Sequence, residues 1–356
     1  MNRLMKDKIS RALLTAFSVL LFALLLSCSD VTASAALSSL TVAATKVIPG
    51  LFIFITLSVF MTKMSVLEPL GGLIPTEKLF SLPRASASAI ITGLLCGFPV
   101  GAVCVSRLVR DGRLTLDEAA ICLTLSSAPS PAFLLSVVGG AWSSRGFGVL
   151  LYAASVLSVF LFGMIYARTR KPGSLSRVTD ATPGHGSVRF SRALCEAVSD
   201  ASVTCLRIAA YITFFSSLAS CASYYFPQLR ALIMPVFEFS SGALCGAEVG
   251  GVFGGAVTGF SVGFSSLSVF AQTAYAVSDS NIPLGCFFLS KLVSGTVCAL
   301  CGAVSAYFLA PSAVKDAFLP AATASPLISA AVLAALSVLY GITRFYGKST
   351  HNAKSN

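Results

Sequence analysis

The sequence predicts an all-α polytopic membrane protein made of two inverted repeats, and three observations carry that prediction. Hydrophobic residues make up 55% of the 356 and charged residues only 11%, with a mean hydropathy of +0.84. Soluble domains carry about 25% charged residues. The apolar residues gather into segments of about 20, long enough to cross the hydrocarbon core as helices with their backbone satisfied internally. One long polar break, 168–203, divides the chain into two membrane halves. The alternating ~10-residue segments of a transmembrane β-barrel are not seen.

The apolar segments fall at 11–28, 31–62, 86–110, 117–142, 146–167, 204–226, 231–256, 257–278, 284–309 and 323–343. Arg3, Lys6, Lys8 and Arg11 precede the first. Ser27-Cys28 and Ala33-Ser34-Ala35 leave a cleaved signal peptide open, while the many spans that follow favour a retained helix. Segment 86–110 carries Gly97-Phe98-Pro99-Val100-Gly101 in its middle and ends at Arg107 and Arg110, with Arg113 just beyond. Ten simple crossings from a cytoplasmic N-terminus would put those arginines and the basic break outside, against the positive-inside tendency. Both return to the cytoplasmic side if 86–110 is a re-entrant hairpin turning at Gly97-Phe98-Pro99 and 231–256 is a second hairpin entered from the outside. Both termini are then cytoplasmic. Irregular backbone at membrane depth must be buried in protein or face a water-filled cavity. A Pro-kinked helix followed by a basic loop is the simpler alternative.

The expected organisation is an N-terminal transmembrane helix in 1–40, a first membrane repeat in 41–167, a basic cytoplasmic linker in 168–203, a second repeat in 204–309, and a C-terminal helix with a polar tail in 310–356. The linker reading rests on Arg168, Arg170, Lys171, Arg177, Arg189 and Arg192, interleaved with Pro172, Gly173, Pro183 and Gly184. Each repeat reads as a span, a hairpin, a broken span and a span. Entered from opposite faces, the two form the inverted-topology architecture of many secondary transporters.

The broken spans hold the polar content. In 117–142 it is Ser126-Ser127-Ala128-Pro129-Ser130-Pro131, whose prolines remove backbone donors and free carbonyls near mid-span. In 257–278 it is Ser261, Ser265, Ser266 and Ser268, followed by Gln272. These hydroxyls suit a substrate or helix–helix hydrogen bonding equally well. The second hairpin reads Glu238-Phe-Ser240-Ser241-Gly242, then Gly246, Gly250 and Gly254, with a second row at Gly251, Gly255, Gly259 and Gly263. Spacing by four puts small residues on one face for close packing. Packing does not account for Glu238 and Glu248, because carboxylates inside membrane segments are costly and usually functional. Both are candidates for binding a coupling cation or proton. The substrate-binding candidates are Gly97, Phe98, Pro99, Ser126, Ser127, Ser240, Ser241, Gly242, Ser265, Ser266, Ser268 and Gln272.

No cofactor or metal is expected, and no catalytic residue stands out. The eleven cysteines are scattered, mostly in apolar runs, where they act as small hydrophobes. Cys298-Ala-Leu-Cys301 has no second pair and no nearby histidine, as a zinc site requires. His185 and His351 lie in polar segments. A membrane enzyme acting on a lipid-linked substrate would draw on Asp111, Asp117 and Glu118, but the last two follow Thr115 at a predicted helix start and read as cap chemistry. The net charge of +11 lies mostly in loops beside the spans and indicates no nucleic-acid partner. The expected partners are the lipid bilayer and a small solute. A structural role in a membrane complex stays open, as does a homo-oligomer formed through the glycine-rich face.

Two stretches carry a family resemblance. Cys96-Gly-Phe-Pro-Val-Gly-Ala102 with Leu108-Val-Arg-Asp-Gly-Arg-Leu-Thr-Leu-Asp-Glu-Ala119, and Phe264-Ser-Ser-Leu-Ser-Val-Phe-Ala-Gln272, resemble the YlbJ family of sporulation integral membrane proteins. That family carries paired nucleoside-recognition, or Gate, domains. Where it usually has Asn-Asn-Ser-Gly-Pro this chain has Ser127-Ala-Pro-Ser-Pro131, and Gly-Gly-Leu-Ser-Val-His is replaced by Ser265-Ser-Leu-Ser-Val-Phe270. The resemblance implies a fold similar to concentrative nucleoside transporters, with two hairpins and broken helices. It implies transport of dipicolinate, or a similar small anion, from mother cell toward forespore across the outer forespore membrane. A nucleoside is the alternative solute. On this reading the anion meets half-helix N-termini and the serine hydroxyls between the hairpin tips.

Overall fold

The computed structural model describes residues 3–64, 66, 74–169 and 189–309, and among them all regular structure is helical. Five helices are long and apolar enough to cross a membrane. Residues 170–188 of the linker and the segment 323–343 lie outside the described residues.

Helix α1 (Arg3–Ser27) is followed by α2 (Ser29–Val42), which continues through a π turn at Ala43–Val47 into α3 (Ile48–Lys63). After α4 (Thr76–Phe80), α5 (Ser86–Cys96) and α6 (Val100–Arg110) form the first hairpin. At 1.5 Å per residue each of these 11-residue helices spans ~16 Å, about half of a ~30 Å hydrocarbon core. The turn is Gly97-Phe98-Pro99, and Gly97 holds φ +76°, a left-handed conformation that glycine adopts without strain. The two arms touch at Gly93 and Gly101, and both glycines press on the Ser126 carbonyl of the next element.

That element is the first broken span: α7 (Leu116–Leu125), extended chain to Ser130, α8 (Pro131–Phe133), a π turn at Leu134–Val138 and α9 (Gly139–Ala141). The acids at its start are cap chemistry. The Thr115 amide donates to Glu118 Oε2 at 2.8 Å, and the Glu118 amide donates to Thr115 Oγ1 at 3.3 Å. Helix α10 (Arg145–Thr169) closes the first half.

The second half repeats this order with α11 (Phe190–Tyr225), a hairpin of α12 (Arg230–Phe237) and α13 (Phe239–Val249), a broken pair α14 (Gly251–Phe264) and α15 (Ser266–Val277), and α16 (Gly285–Leu309). Two boundaries differ from the sequence reading. Residues 190–203, assigned to the linker, are the first turns of α11, because Ala193, Ala197 and Ala201 form a buried stripe and Arg192 pairs with Glu196 at 2.8 Å. The second hairpin ends at Val249 rather than at 256, because Gly250 and Gly251 take φ of +69° and +58° and begin a new helix.

Side-chain contacts order the bundle. The α2–α3 run lies antiparallel to α11: just before it, Ser27 at the end of α1 meets the Tyr225 hydroxyl at 2.7 Å, and at its far end Lys63 lies 3.1 Å from both Glu196 and Asp200. Arg207 stacks over Tyr275 at 5.0 Å, so α15 descends beside the N-terminal part of α11. Its continuation, Ser280, meets Ser106 of α6 at 2.5 Å. The open ends of the first hairpin therefore lie toward the Lys63 end. Trp142, stacked on Phe147 at 4.4 Å, donates from Nε1 to Thr258 at 3.2 Å and joins the two halves. On α14, Gly255, Gly259 and Gly263 lie directly against backbone carbonyls of Gly302, Cys298 and Ser294 on α16.

Candidate functional site

Every helix break predicted from Gly, Pro and Ser lies inside the bundle. The hairpin tips meet there: the Phe98 ring stands edge-on to Phe239 at 5.4 Å, and Phe133, just past the break in the first broken span, lies 4.6 Å from the Phe239 ring. Around them is a small cavity of ≈ 40 Å³. Its walls are mostly apolar (Val47, Leu51, Ile208, Ile212 and Val269), and its polar groups are Ser130, Glu238, Ser240 and Gln272. A largely apolar cleft with a few convergent polar groups is the usual form of a small-molecule site.

Glu238 is 2% exposed and occupies the turn of the second hairpin. Its carboxylate accepts from the Ser240 amide at 3.1 Å, the Ser241 amide at 2.6 Å and the Ser240 hydroxyl at 2.7 Å. It thus caps α13, meeting the unpaired amides and positive dipole end of that helix. Gln272 reaches Ser268 at 3.3 Å across one turn of α15. Ser130 caps the start of α8 by accepting from the Phe133 amide at 3.2 Å.

The remaining predicted residues divide by location. Gly97 and Pro99 shape the first tip; a Cβ on Gly97 would sit 2.7 Å from the Ser130 amide nitrogen. Ser126 and Ser127 are fully buried, and both hydroxyls turn back to the Leu123 carbonyl. Ser241 pairs with Ser216 of α11 at 2.7 Å, and Gly242 packs on Pro235 of the opposite arm. Ser265 and Ser266 line a second, smaller cavity of ≈ 10 Å³. Glu248 is not brought to the centre. It sits at the far end of α13, partly exposed, and pairs with Arg230 at 3.0 Å.

Lys291 is absent from the sequence-based site. It is 3% exposed on α16, its ammonium donates to the Ser127 carbonyl, and it lies 5.3 Å from the Phe98 ring centre and 5.5 Å from that of Phe287. The signal for it was a lone lysine inside an apolar span, the kind of intramembrane charge that is usually functional.

Helices of membrane-spanning length with paired hairpins and broken spans around a buried polar centre define the chain as an all-α polytopic membrane protein. It is 23% identical over 335 residues to the sporulation integral membrane protein YlbJ of Bacillus subtilis (strain 168), a match covering 83% of this chain and 82% of that protein, and this supports placing it in the YlbJ family. No family model and no solved structure matches the chain.

Proposed function

We propose that the chain is a sporulation membrane transporter of a small anionic solute, dipicolinate in the first instance, moved from mother cell toward forespore across the outer forespore membrane. The observation that carries the reading is the meeting of two hairpin tips and two broken spans around a cavity holding a buried carboxylate. Such breaks expose half-helix ends where a solute and a coupling ion can be held, and rocking one half against the other gives alternating access. The link to sporulation rests on the relative's name. In this proposal the two halves are inverted repeats, both termini are cytoplasmic, and Glu238 binds the coupling cation or proton.

The test is uptake of labelled dipicolinate into proteoliposomes of purified protein, with uridine as control. Saturable uptake of dipicolinate alone is expected. Uptake of uridine alone replaces the solute by a nucleoside, and uptake of neither under several ion gradients turns the reading toward a structural partner in a forespore membrane complex. Glu238→Gln keeps an acceptor for the α13 cap but loses the charge, so coupled accumulation should fall at least tenfold. Unchanged accumulation removes the coupling role.

A further inference from the structure

Glu238 and Lys291 are the two charged side chains that are fully buried among the described residues, and their surroundings differ in a telling way. Each stands beside the N-terminus of a half-helix. At α13 the chain supplies its own anion, since the Glu238 carboxylate accepts from the first amides. At α15, a 12-residue helix, no side chain caps the N-terminus and the first turn holds no acid. The Ser265 hydroxyl, at the N-cap position, turns back to the Val262 and Gly263 carbonyls at 3.3 and 3.4 Å. Ser265 and Ser266 both hold left-handed φ, +68° and +67°, a conformation that is strained for serine and that clusters at functional sites. The Ser266 hydroxyl is 2% exposed and has no hydrogen-bond partner.

Lys291 comes to the same place from α16. It lines the smaller cavity with Ser265, Ser266, Phe270 and Phe287. An ammonium has three donors, and among the described residues this one has a single acceptor, the Ser127 carbonyl. A charge buried with so little compensation is expensive unless an opposite charge joins it. Helix-terminal amides with the positive dipole end, a free hydroxyl and an ammonium all favour negative charge at one point.

We infer that the pocket between the α15 N-terminus and Lys291 is a carboxylate-binding subsite. The carboxylate lies against the Lys291 ammonium and accepts from the Ser266 hydroxyl and the first amides of α15. Phe98 adjoins both this subsite and the central cavity, since its ring lines that cavity and lies 5.3 Å from the Lys291 nitrogen. That the carboxylate belongs to a transported solute rests on the transport reading above; that the pocket binds one does not.

The experiment is equilibrium binding of labelled dipicolinate to the full-length protein in detergent, competed with benzoate, acetate, chloride and uridine. Binding displaced by benzoate and not by uridine is expected. Lys291→Met should weaken it at least tenfold, Lys291→Arg should restore part of it, and Ser266→Ala should weaken it about three- to tenfold. Ser266→Ala decides alone if Lys291→Met does not give a monodisperse protein. Unchanged affinity in Ser266→Ala and Lys291→Met overturns the inference. So does wild-type protein that binds none of the three carboxylates, or one in which chloride displaces dipicolinate as well as benzoate does. Carboxylate binding lost in Lys291→Met, without uptake into vesicles by the wild type, keeps the subsite and removes the transport reading. Uptake of uridine without carboxylate binding does the reverse.

Discussion

Gly259→Ala tests the packing that holds the second broken span. The added carbon would lie 2.0 Å from the Cys298 carbonyl oxygen, 2.6 Å from its carbon and 3.0 Å from Ala299 Cα. Nonbonded heavy atoms sit at about 3.5–4 Å in good contact, so α14 and α16 would have to part by roughly 1.5 Å. The obstacle is backbone and cannot rotate away. Gly255 and Gly263 share the seam one turn to either side, each within 2.4 Å of an α16 carbonyl if given a Cβ, so the parting loosens them as well. Overpacking costs typically about 1–3 kcal/mol and sometimes more, and a backbone clash belongs at the upper end. Alanine's helix propensity returns about 1 kcal/mol. A net loss of about 2 kcal/mol or more should lower the melting temperature by roughly 5 °C, read by size-exclusion chromatography of heated detergent samples. Gly285→Ala is the control, because a Cβ there meets nothing within 4 Å and it opens α16; it should melt with the wild type. If Gly259→Ala melts with the wild type, or Gly285→Ala falls as far, the close approach of α14 and α16 is wrong.

Three further outcomes are expected. Gly97→Ala combines left-handed strain, about 1–2 kcal/mol for a residue with a Cβ, with a 2.7 Å contact to the Ser130 amide nitrogen, and uptake per inserted molecule should fall at least tenfold. Trp142→Phe removes the donor to Thr258 but leaves that hydroxyl its own bond to the Ala243 carbonyl at 3.0 Å, so chemical denaturation should register a loss of about 1 kcal/mol and not several. On a background without native cysteines, Lys78→Cys and Arg110→Cys, which flank 86–110, should react with an impermeant maleimide from the same face of the membrane. Labelling from opposite faces refutes the hairpin reading of 86–110.

Much of this architecture was legible in the residues, and the reasons are local. In lipid the backbone has no partner but itself, so a long apolar run is a helix wherever it falls, and the spans at 31–62, 146–167 and 284–309 agree closely with helices that end at Lys63, Thr169 and Leu309. Gly97-Phe98-Pro99 and Ser126 to Pro131 break their helices because proline lacks a donor and glycine tolerates left-handed φ. The Thr115–Glu118 cap needed only residues three apart. The site itself was half legible: Phe98, Glu238, Ser240 and Gln272 do line one cavity.

What tertiary structure alone decided is which polar groups are spoken for and which are not. Glu238 and Glu248 are both carboxylates on one hairpin, yet one caps a buried helix end and the other pairs with Arg230 near the surface, 18 residues away in sequence. Lys291 reads as an isolated lysine until the fold brings it to the Ser127 carbonyl, 164 residues earlier, and to the uncapped end of α15. Composition sets where helices form because each backbone group is satisfied within a few residues. The chemistry at the centre depends on contacts between distant segments, and those exist only once the helices pack.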